Sequence, residues 1–533
     1  MRKAPIRTIL PEALLLLCLA GMIVRLLAAS QTEESTLAGV RQGNYHLHVP
    51  LTSGVIYDCH MQPLSQSEQI CCAVVNPTPE ASALLFAKTA DPDTTAAGFQ
   101  SRSPFLCRLT APVQSSKDIT VLNGTENCPG PLPAQHLLGY IQNGQAASGL
   151  ERAYEPWLRS CSTAADITFT VDANGMLLAG GEQKQILSGA PGGGIVTTLD
   201  AEIQQIAEDC LQSAAPYAGA VVVLRCGTGE IAACASSPVY DPVHLADALN
   251  LEDSPFLNRA LSAYSVGSVF KLVTAATALE NGSGKKFMYD CTGEISVKGK
   301  RFRCHKLAGH GLLDMQNALI QSCNPYFISL SRIVTPEMLH DTAEQLGFGT
   351  ETEIADGLCG SAGYLPSAQE LHIEAEKANF SFGQGKLLAT PLQIAAMTAC
   401  IADDGIYTAP YLVSGLTPDG TQLVQETEPE QRRVLSKETA SSLRWMMNAV
   451  LEKSKTTKGK PAGVRAAGKT STAQTGRFSE DGTEYCHAWM TGFFPVYQPE
   501  YIVTVFVEDG GSGNTAAAPV FRNVIERILA ARS

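Results

Sequence analysis

Ala263-Tyr-Ser-Val-Gly-Ser268-Val-Phe-Lys271-Leu-Val-Thr-Ala-Ala-Thr-Ala-Leu-Glu-Asn-Gly282 is the stretch around which the 533-residue chain is organised. It reads as one buried helix. Val269, Phe270, Leu272, Val273, Ala275, Ala276 and Leu279 leave almost no polar face, and such a helix belongs in the core of a large domain. Gly282 supplies the stop. Ser268 and Lys271, three apart in the first turn, share a face. Burial disfavours the lysine ammonium and frees a neutral amine. A serine beside such an amine is an activated nucleophile. Taken alone, Ser-x-x-Lys is a weak pattern, and Ser283-Gly-Lys-Lys286 repeats it in a polar, glycine-rich stretch that fixes no geometry.

Length predicts two or more domains. A composition 45% hydrophobic and 17% charged is globular. The net charge of −13 speaks against nucleic acid as a partner. Arg2, Lys3 and Arg7 precede an apolar run from Ala13 to Val24 that resumes after Arg25. This predicts one transmembrane helix within residues 1–29, N-terminus inside and the rest outside. Pro11, Glu12 and Arg25 make the span imperfect, and Leu27-Ala-Ala-Ser is only a partial cleavage site, so an uncleaved signal anchor is preferred to a cleaved leader. Cys18 lies in the span, leaving fifteen of the sixteen cysteines outside it. No Cys-x-x-Cys pair and no Cys/His cluster at zinc spacing is present, so no metal is expected. Cys291 and Cys304 flank a possible hairpin; they either pair or remain buried thiols.

Residues 30–187 are irregular with short strand-like runs, one of them carrying the hairpin signal Asn174-Gly175. A non-catalytic module is expected there. Ser188-Gly-Ala-Pro-Gly-Gly-Gly194 is the candidate boundary to a second domain over residues 195–533. That domain opens with a helix capped from Asp200 and a β-hairpin, Gly219–Arg225 with Ile231–Ser236. Its middle is helical, and it ends in strands at Gly468–Gln474, Ala488–Phe494 and Tyr501–Glu508 and a helix from Pro519. The expected fold is α+β: an antiparallel sheet closed by early and late segments and covered by helices, with a helical subdomain.

Two further short motifs follow Ser268. Ser322-Cys-Asn324 comes after a helix, and Lys469-Thr470-Ser471 opens a strand; their decoys, Ser512-Gly-Asn514 and Lys455-Thr-Thr, lie in polar loops. With these three motifs in order the chain resembles the class B penicillin-binding proteins, active-site-serine transpeptidases with Ser-x-x-Lys, Ser-x-Asn and Lys-Thr-Gly motifs. Leu257-Asn-Arg-Ala, Phe382-Gly-Gln-Gly385, Ala389-Thr-Pro-Leu-Gln393, Thr228-Gly-Glu-Ile and Ser237-Pro-Val-Tyr-Asp-Pro extend the resemblance. Leu138-Gly-Tyr140 and Ser148-Gly-Leu-Glu151 are similar to the family's non-catalytic module.

The resemblance implies cross-linking of peptidoglycan stem peptides through a serine acyl-enzyme, without a cofactor, and covalent capture of β-lactams. It implies Ser268 as nucleophile, Lys271 as base, Ser322 and Lys469 as proton path to the leaving D-alanine, and Asn324 as orienting group. Backbone N–H groups of Ser268 and Thr472 would form an oxyanion hole. Thr470, Ser471 and Thr472 would bind substrate. A membrane glycosyltransferase of the elongation or division machinery is the implied partner, serving cell shape or cell division. Three positions depart from the pattern: Ser471 for glycine, Val266 for proline, and Ser53-Gly-Val-Ile-Tyr-Asp-Cys59 for the early Arg-Gly-x-Ile-x-Asp-Arg segment. Strand alternation sets Thr470 and Thr472 on one side and Ser471 on the other, where a serine needs a small pocket and one hydrogen-bond partner. A D,D-carboxypeptidase or β-lactamase on the same scaffold, and a non-catalytic sensor or scaffold, are the alternatives. The first needs a water-activating base, and Ala375 stands four before Asn379 where a glutamate would be. The second would be expected to have lost Ser268 or Lys271.

Overall fold

A computed structural model describes residues 6–30, 43–65, 67–101, 103–127, 130–142, 144–172, 177–178, 183–189, 191–214, 218–454 and 456–532. Arg2, Lys3, the Asn174-Gly175 turn and Lys455 lie outside them. The chain forms two compact units. The first comprises residues 1–53, 67–127 and 160–191. The second comprises 54–66, 128–159 and 192–533, so two segments of the expected N-terminal module cluster with the C-terminal part of the chain.

In the first unit, helix α1 spans Ile6–Ser30. Among the described residues no helix is long and apolar enough to cross a membrane. Two three-stranded antiparallel sheets follow. Strands β1 (Asn44–Thr52), β5 (Thr163–Thr170) and β6 (Lys184–Ser188) form one in the order β1-β5-β6. Strands β2 (Ser67–Val75), β3 (Phe105–Leu109) and β4 (Ile119–Asn127) form the other in the order β3-β2-β4. Alternation of inward apolar residues supplies Val49, Ile167 and Phe169 to one small core and Val75 and Leu109 to another, where Leu85 of the helix Pro79–Leu85 joins them.

The second unit is built on a five-stranded antiparallel sheet. Asp200 caps helix α2 (Ala201–Ser213) by accepting from the Ile203 N–H. Strands β7 (Gly219–Arg225) and β8 (Ile231–Ser237) form the expected hairpin. The C-terminal strands β9 (Ala467–Phe478), β10 (Glu484–Phe494) and β11 (Tyr501–Val507) complete the order β8-β7-β11-β10-β9. The near-continuous apolar run Val221–Leu224 is buried on both faces, as is β11. Helix α2 and the terminal helix Ala518–Ala531 cover one face, through Ile203, Ile206, Phe521 and Ile525. The other face meets a large helical core that includes Phe270, Leu272, Phe327, Leu392 and Met397. Strand β9 is therefore an edge strand, with one side of its backbone unpaired within the sheet.

The expectation of one helix over residues 263–282 is corrected. Tyr264–Ser265 pairs with Leu388–Ala389, Gly267–Phe270 is a 3-10 turn, and the α-helix α3 begins at Lys271 and ends at Glu280. Gly267 causes the break. It has φ +67°, and a Cβ there would stand 2.4 Å from Ser471 Oγ. The turn therefore approaches β9 more closely than any side chain at 267 would permit. The Thr390-Pro-Leu-Gln393 motif is architectural: Thr390 and Gln393 form a capping box, and Gln393 Nε2 donates to the carbonyls of Gly347, Thr350 and Ala362. Arg259, 3% exposed, pairs with Glu508 beyond the end of β11 at 2.7 Å.

Candidate active site

Three elements meet beside the edge strand. The 3-10 turn brings Ser268, helix α3 brings Lys271, and the turn into helix Asn324–Ser331 brings Ser322 and, as the helix's first residue, Asn324. Strand β9 brings Lys469. The turn is held on both sides: Gly267 N–H donates to Gly383 O at 2.7 Å, and Trp489 Nε1 donates to Ser265 O at 2.9 Å. Gly383 lies in the Phe382-Gly-Gln-Gly385 stretch, so that motif also serves the turn.

Lys271 is fully buried. Its Nζ lies 3.0 Å from Ser268 Oγ, 2.7 Å from Ser322 O, 3.1 Å from Ser322 Oγ and 2.6 Å from Asn324 Oδ1. Carbonyl oxygens can only accept. Ser322 O and Asn324 Oδ1 thus take both N–H groups of a neutral amine, and the lone pair is left for a hydroxyl. Burial, reinforced by the charge of Lys469, holds the Lys271 amine well below the ordinary lysine range. Lys469, 1% exposed, donates to Ser322 Oγ at 3.0 Å and Thr470 O at 2.9 Å, and burial brings it down to about 7. Ser322 Oγ therefore bridges two amines. Ser322 itself adopts φ +49°, a left-handed conformation unusual for a side-chain-bearing residue, of the kind found at functional turns.

Along β9 the facing alternates. Thr470 is half-buried and Thr472 exposed, while Ser471 is 3% exposed and donates to Val266 O at 2.8 Å. The two departures, Ser471 and Val266, touch each other. Thr472 Oγ1 accepts from the Gly513 N–H at 3.2 Å and keeps its own proton to donate. A cleft of about 670 Å3 opens beside Asn324, lined by Ser265, Asn379, Gln474 and the basic residues Lys300, Arg301 and Arg303. The last three sit on the hairpin Glu294–Val297/Lys300–Arg303. No motif reading named them, because three basic residues on a short strand are an ordinary solvated edge until the fold sets them at a cleft.

Sequence reading also missed one cluster. Cys291 and Cys304 are free thiols, and they gather with Cys323 and His310, the four ligand atoms lying within 4.8 Å of one another. The spacing Cys-x12-Cys-x5-His-x12-Cys has no two ligands on one short knuckle. The antiparallel pairing of Tyr289–Cys291 with Gly311–Leu313 sets His310 beside Cys291, the Cys304 N–H bond to Gly293 O brings in Cys304, and Cys323 arrives on the turn before the helix Asn324–Ser331.

The penicillin-binding-protein transpeptidase domain matches residues 219–526. The peptidoglycan D,D-transpeptidase PbpA of Mycolicibacterium smegmatis is 32% identical over 434 residues, covering 75% of this chain and 83% of that protein. The stage V sporulation protein D of Bacillus subtilis is 30% identical, covering 74% of this chain and 62% of that one. Among solved structures, penicillin-binding protein A of Mycobacterium tuberculosis superposes with a TM-score of 0.65 at 26% identity, covering 90% of this chain and 99% of that one. The same protein as a ceftriaxone acyl-enzyme superposes with a TM-score of 0.66 at 25% identity, covering 90% and 98%. The second unit's antiparallel sheet, the serine–lysine turn at its edge and these matches converge: the chain belongs to the penicillin-binding-protein transpeptidase family.

Proposed function

We propose that this chain is a peptidoglycan D,D-transpeptidase that joins stem peptides through a serine acyl-enzyme and takes β-lactams in the same way. The observation that carries the reading is Lys271 Nζ, fully buried, held by two carbonyl acceptors and 3.0 Å from Ser268 Oγ. Lys271 takes the Ser268 proton as Oγ attacks the carbonyl of the penultimate D-alanine. Ser322, between the two amines, returns that proton to the departing D-alanine nitrogen. Backbone N–H groups of Ser268 and Thr472 receive the oxyanion; losing one such donor costs on the order of 100-fold in rate. Thr470 and Thr472 hydroxyls, on the open side of β9, hold the substrate carboxylate, with Ser471 supporting the strand from behind. Asn324 binds the substrate amide and orients Lys271. The acceptor amine of a second stem peptide then releases Ser268. The test is labelling with a fluorescent penicillin and mapping of the peptide: one adduct per chain on Ser268 is expected, and an adduct elsewhere sinks the assignment.

We further propose that α1 anchors the chain to the membrane, N-terminus inside. Leu15, Leu16, Leu17, Met22, Val24 and Leu26 are each at least 59% exposed, an apolar surface that lipid would cover. Protease added outside intact protoplasts should digest everything beyond about residue 30; a protected C-terminal part would refute the topology. The first unit then acts as a non-catalytic module, and a membrane glycosyltransferase supplies the strands to be cross-linked. Co-purification with such an enzyme from detergent extracts tests that pairing; failure to recover one under mild crosslinking counts against it.

A further inference from the structure

The cleft beside Asn324 is basic in a chain that is acidic as a whole. Lys300, Arg301 and Arg303 line it against one carboxylate, Glu484, while the chain carries a net charge of −13. The three cations are exposed, and Phe302 between them is buried. Phe302 packs with Ile295, Val297, Ile328 and Phe382, and this inward ring fixes the strand. Alternation then sets Arg301 and Arg303 together on the opposite face. Among the described residues no carboxylate lies within ion-pair distance of Lys300, Arg301 or Arg303, not even Glu294, which stands opposite Arg303 in register. Lys298 on the same hairpin, by contrast, pairs with Glu374 at 3.3 Å. Glu484 is already engaged, accepting from Gln474 Nε2 and from the Gly476 N–H at 3.1 Å. An ordinary solvated edge has its charges scattered or paired; here three unpaired cations share one concave wall.

The wall stands where a donor peptide must pass. Strand β9 continues beyond Thr472 to Gln474 and Thr475, which line the same cleft. A donor held at its terminal carboxylate by Thr470 and Thr472 extends its upstream residues toward Gln474. Each extended residue spans about 3.3 Å, so the residue preceding the two D-alanines lies opposite Gln474 and Thr475, across from the basic hairpin. A cleft lined by one sign of charge concentrates ligands of the other, and a guanidinium fork matches a carboxylate.

We propose that Arg301 and Arg303, with Lys300, bind a carboxylate carried by the donor on the residue immediately upstream of its two D-alanines, so that the site selects acidic donors over neutral ones. The inference rests on the transpeptidase reading and adds the charge of the substrate to it. The three residues set specificity and take no part in the proton transfers at Ser268.

The acylamino group of a penicillin occupies the upstream position, which gives a charge-only comparison. The probes are a penicillin whose acyl chain ends in a carboxylate, an adipyl penicillin, and its terminal carboxamide. The full-length chain in detergent at low salt should be acylated at least threefold faster by the acid, within the range spanned by an exposed ion pair and a charge-assisted hydrogen bond. Added salt should shrink that preference. In Arg301→Gln/Arg303→Gln the two rates should converge to within about 1.5-fold, and in Arg301→Glu/Arg303→Glu the carboxamide should become the faster. A merely structural role for the hairpin would slow both probes alike and leave their ratio unchanged. A smaller preference in the parent overturns the proposal, as does a ratio that survives in the double glutamine variant. Equal rates with an adduct on Ser268 sink this inference alone. Absence of any adduct sinks the transpeptidase reading, and this inference with it.

Discussion

The turn Ser322-Cys323-Asn324 has two sides, and they differ in kind. On one side Ser322 and Asn324 face two buried lysine amines at 2.6–3.1 Å. On the other Cys323 faces two thiols and an imidazole. The amine side is polar, strained at Ser322 and opens beside a cleft. The sulfur side is closed and lies in the apolar core. One residue of sequence separates the polar side of the turn from its apolar side. The comparison teaches that a strained left-handed residue needs anchoring on its far side.

Ser268→Ala should break the amine side most completely. No penicillin adduct should form, while thermal unfolding stays within a few degrees of the parent; a persisting adduct on another residue would remove the central assignment. Ser322→Ala comes next. It removes the hydroxyl bridging both amines, and acylation should fall on the order of 100-fold. An unchanged acylation rate in Ser322→Ala would mean that this hydroxyl does not carry the proton.

Lys469→Met probes the cost of a buried amine. The Lys469 pKa is about 7 in the folded chain, below the unfolded lysine value of about 10.4. The unfolded chain therefore takes up that proton first, and acidification from pH 10 to pH 7 erodes parent stability. The melting temperature of Lys469→Met relative to the parent should rise across that window and level off below about pH 7. A flat difference would show that Lys469 is not desolvated. The smallest effects belong to strand β9. Thr470→Val removes a hydroxyl offered to an anion and should slow acylation more than Ser471→Gly, which should change it by less than about tenfold, under 1.4 kcal/mol on the barrier. The reverse order would place Ser471 in the substrate cleft, against its bond to Val266 O.

Much of the site was legible in the chain because chemistry and spacing coincide there. Ser268 and Lys271 are three apart, and no tertiary contact is needed to make them neighbours. The hairpin β7–β8, the capped helix α2 and the closing strands read correctly because their periodicity and turn residues are local signals. Misreading residues 263–282 as one helix had a local cause too. Apolar content alone does not reveal that Gly267 must adopt φ +67° to let β9 pass.

By itself the sequence determined the reaction class, since three short motifs stand in the order that marks the family. It also determined an acidic chain with an apolar N-terminal run. Only the tertiary structure decided where Ser471 finds its partner, and only the fold placed Lys300, Arg301 and Arg303 along the cleft. The same is true of the cysteine–histidine cluster. Cys291, Cys304, His310 and Cys323 are separated by twelve, five and twelve residues, distances over which sequence carries no geometric information. Pairing of two short strands sets Cys291 beside His310, and the hairpin before Cys304 and the turn at Cys323 complete a group within 4.8 Å. Contacts made across a strand pair are set by register, and register is a property of the folded sheet rather than of any one segment.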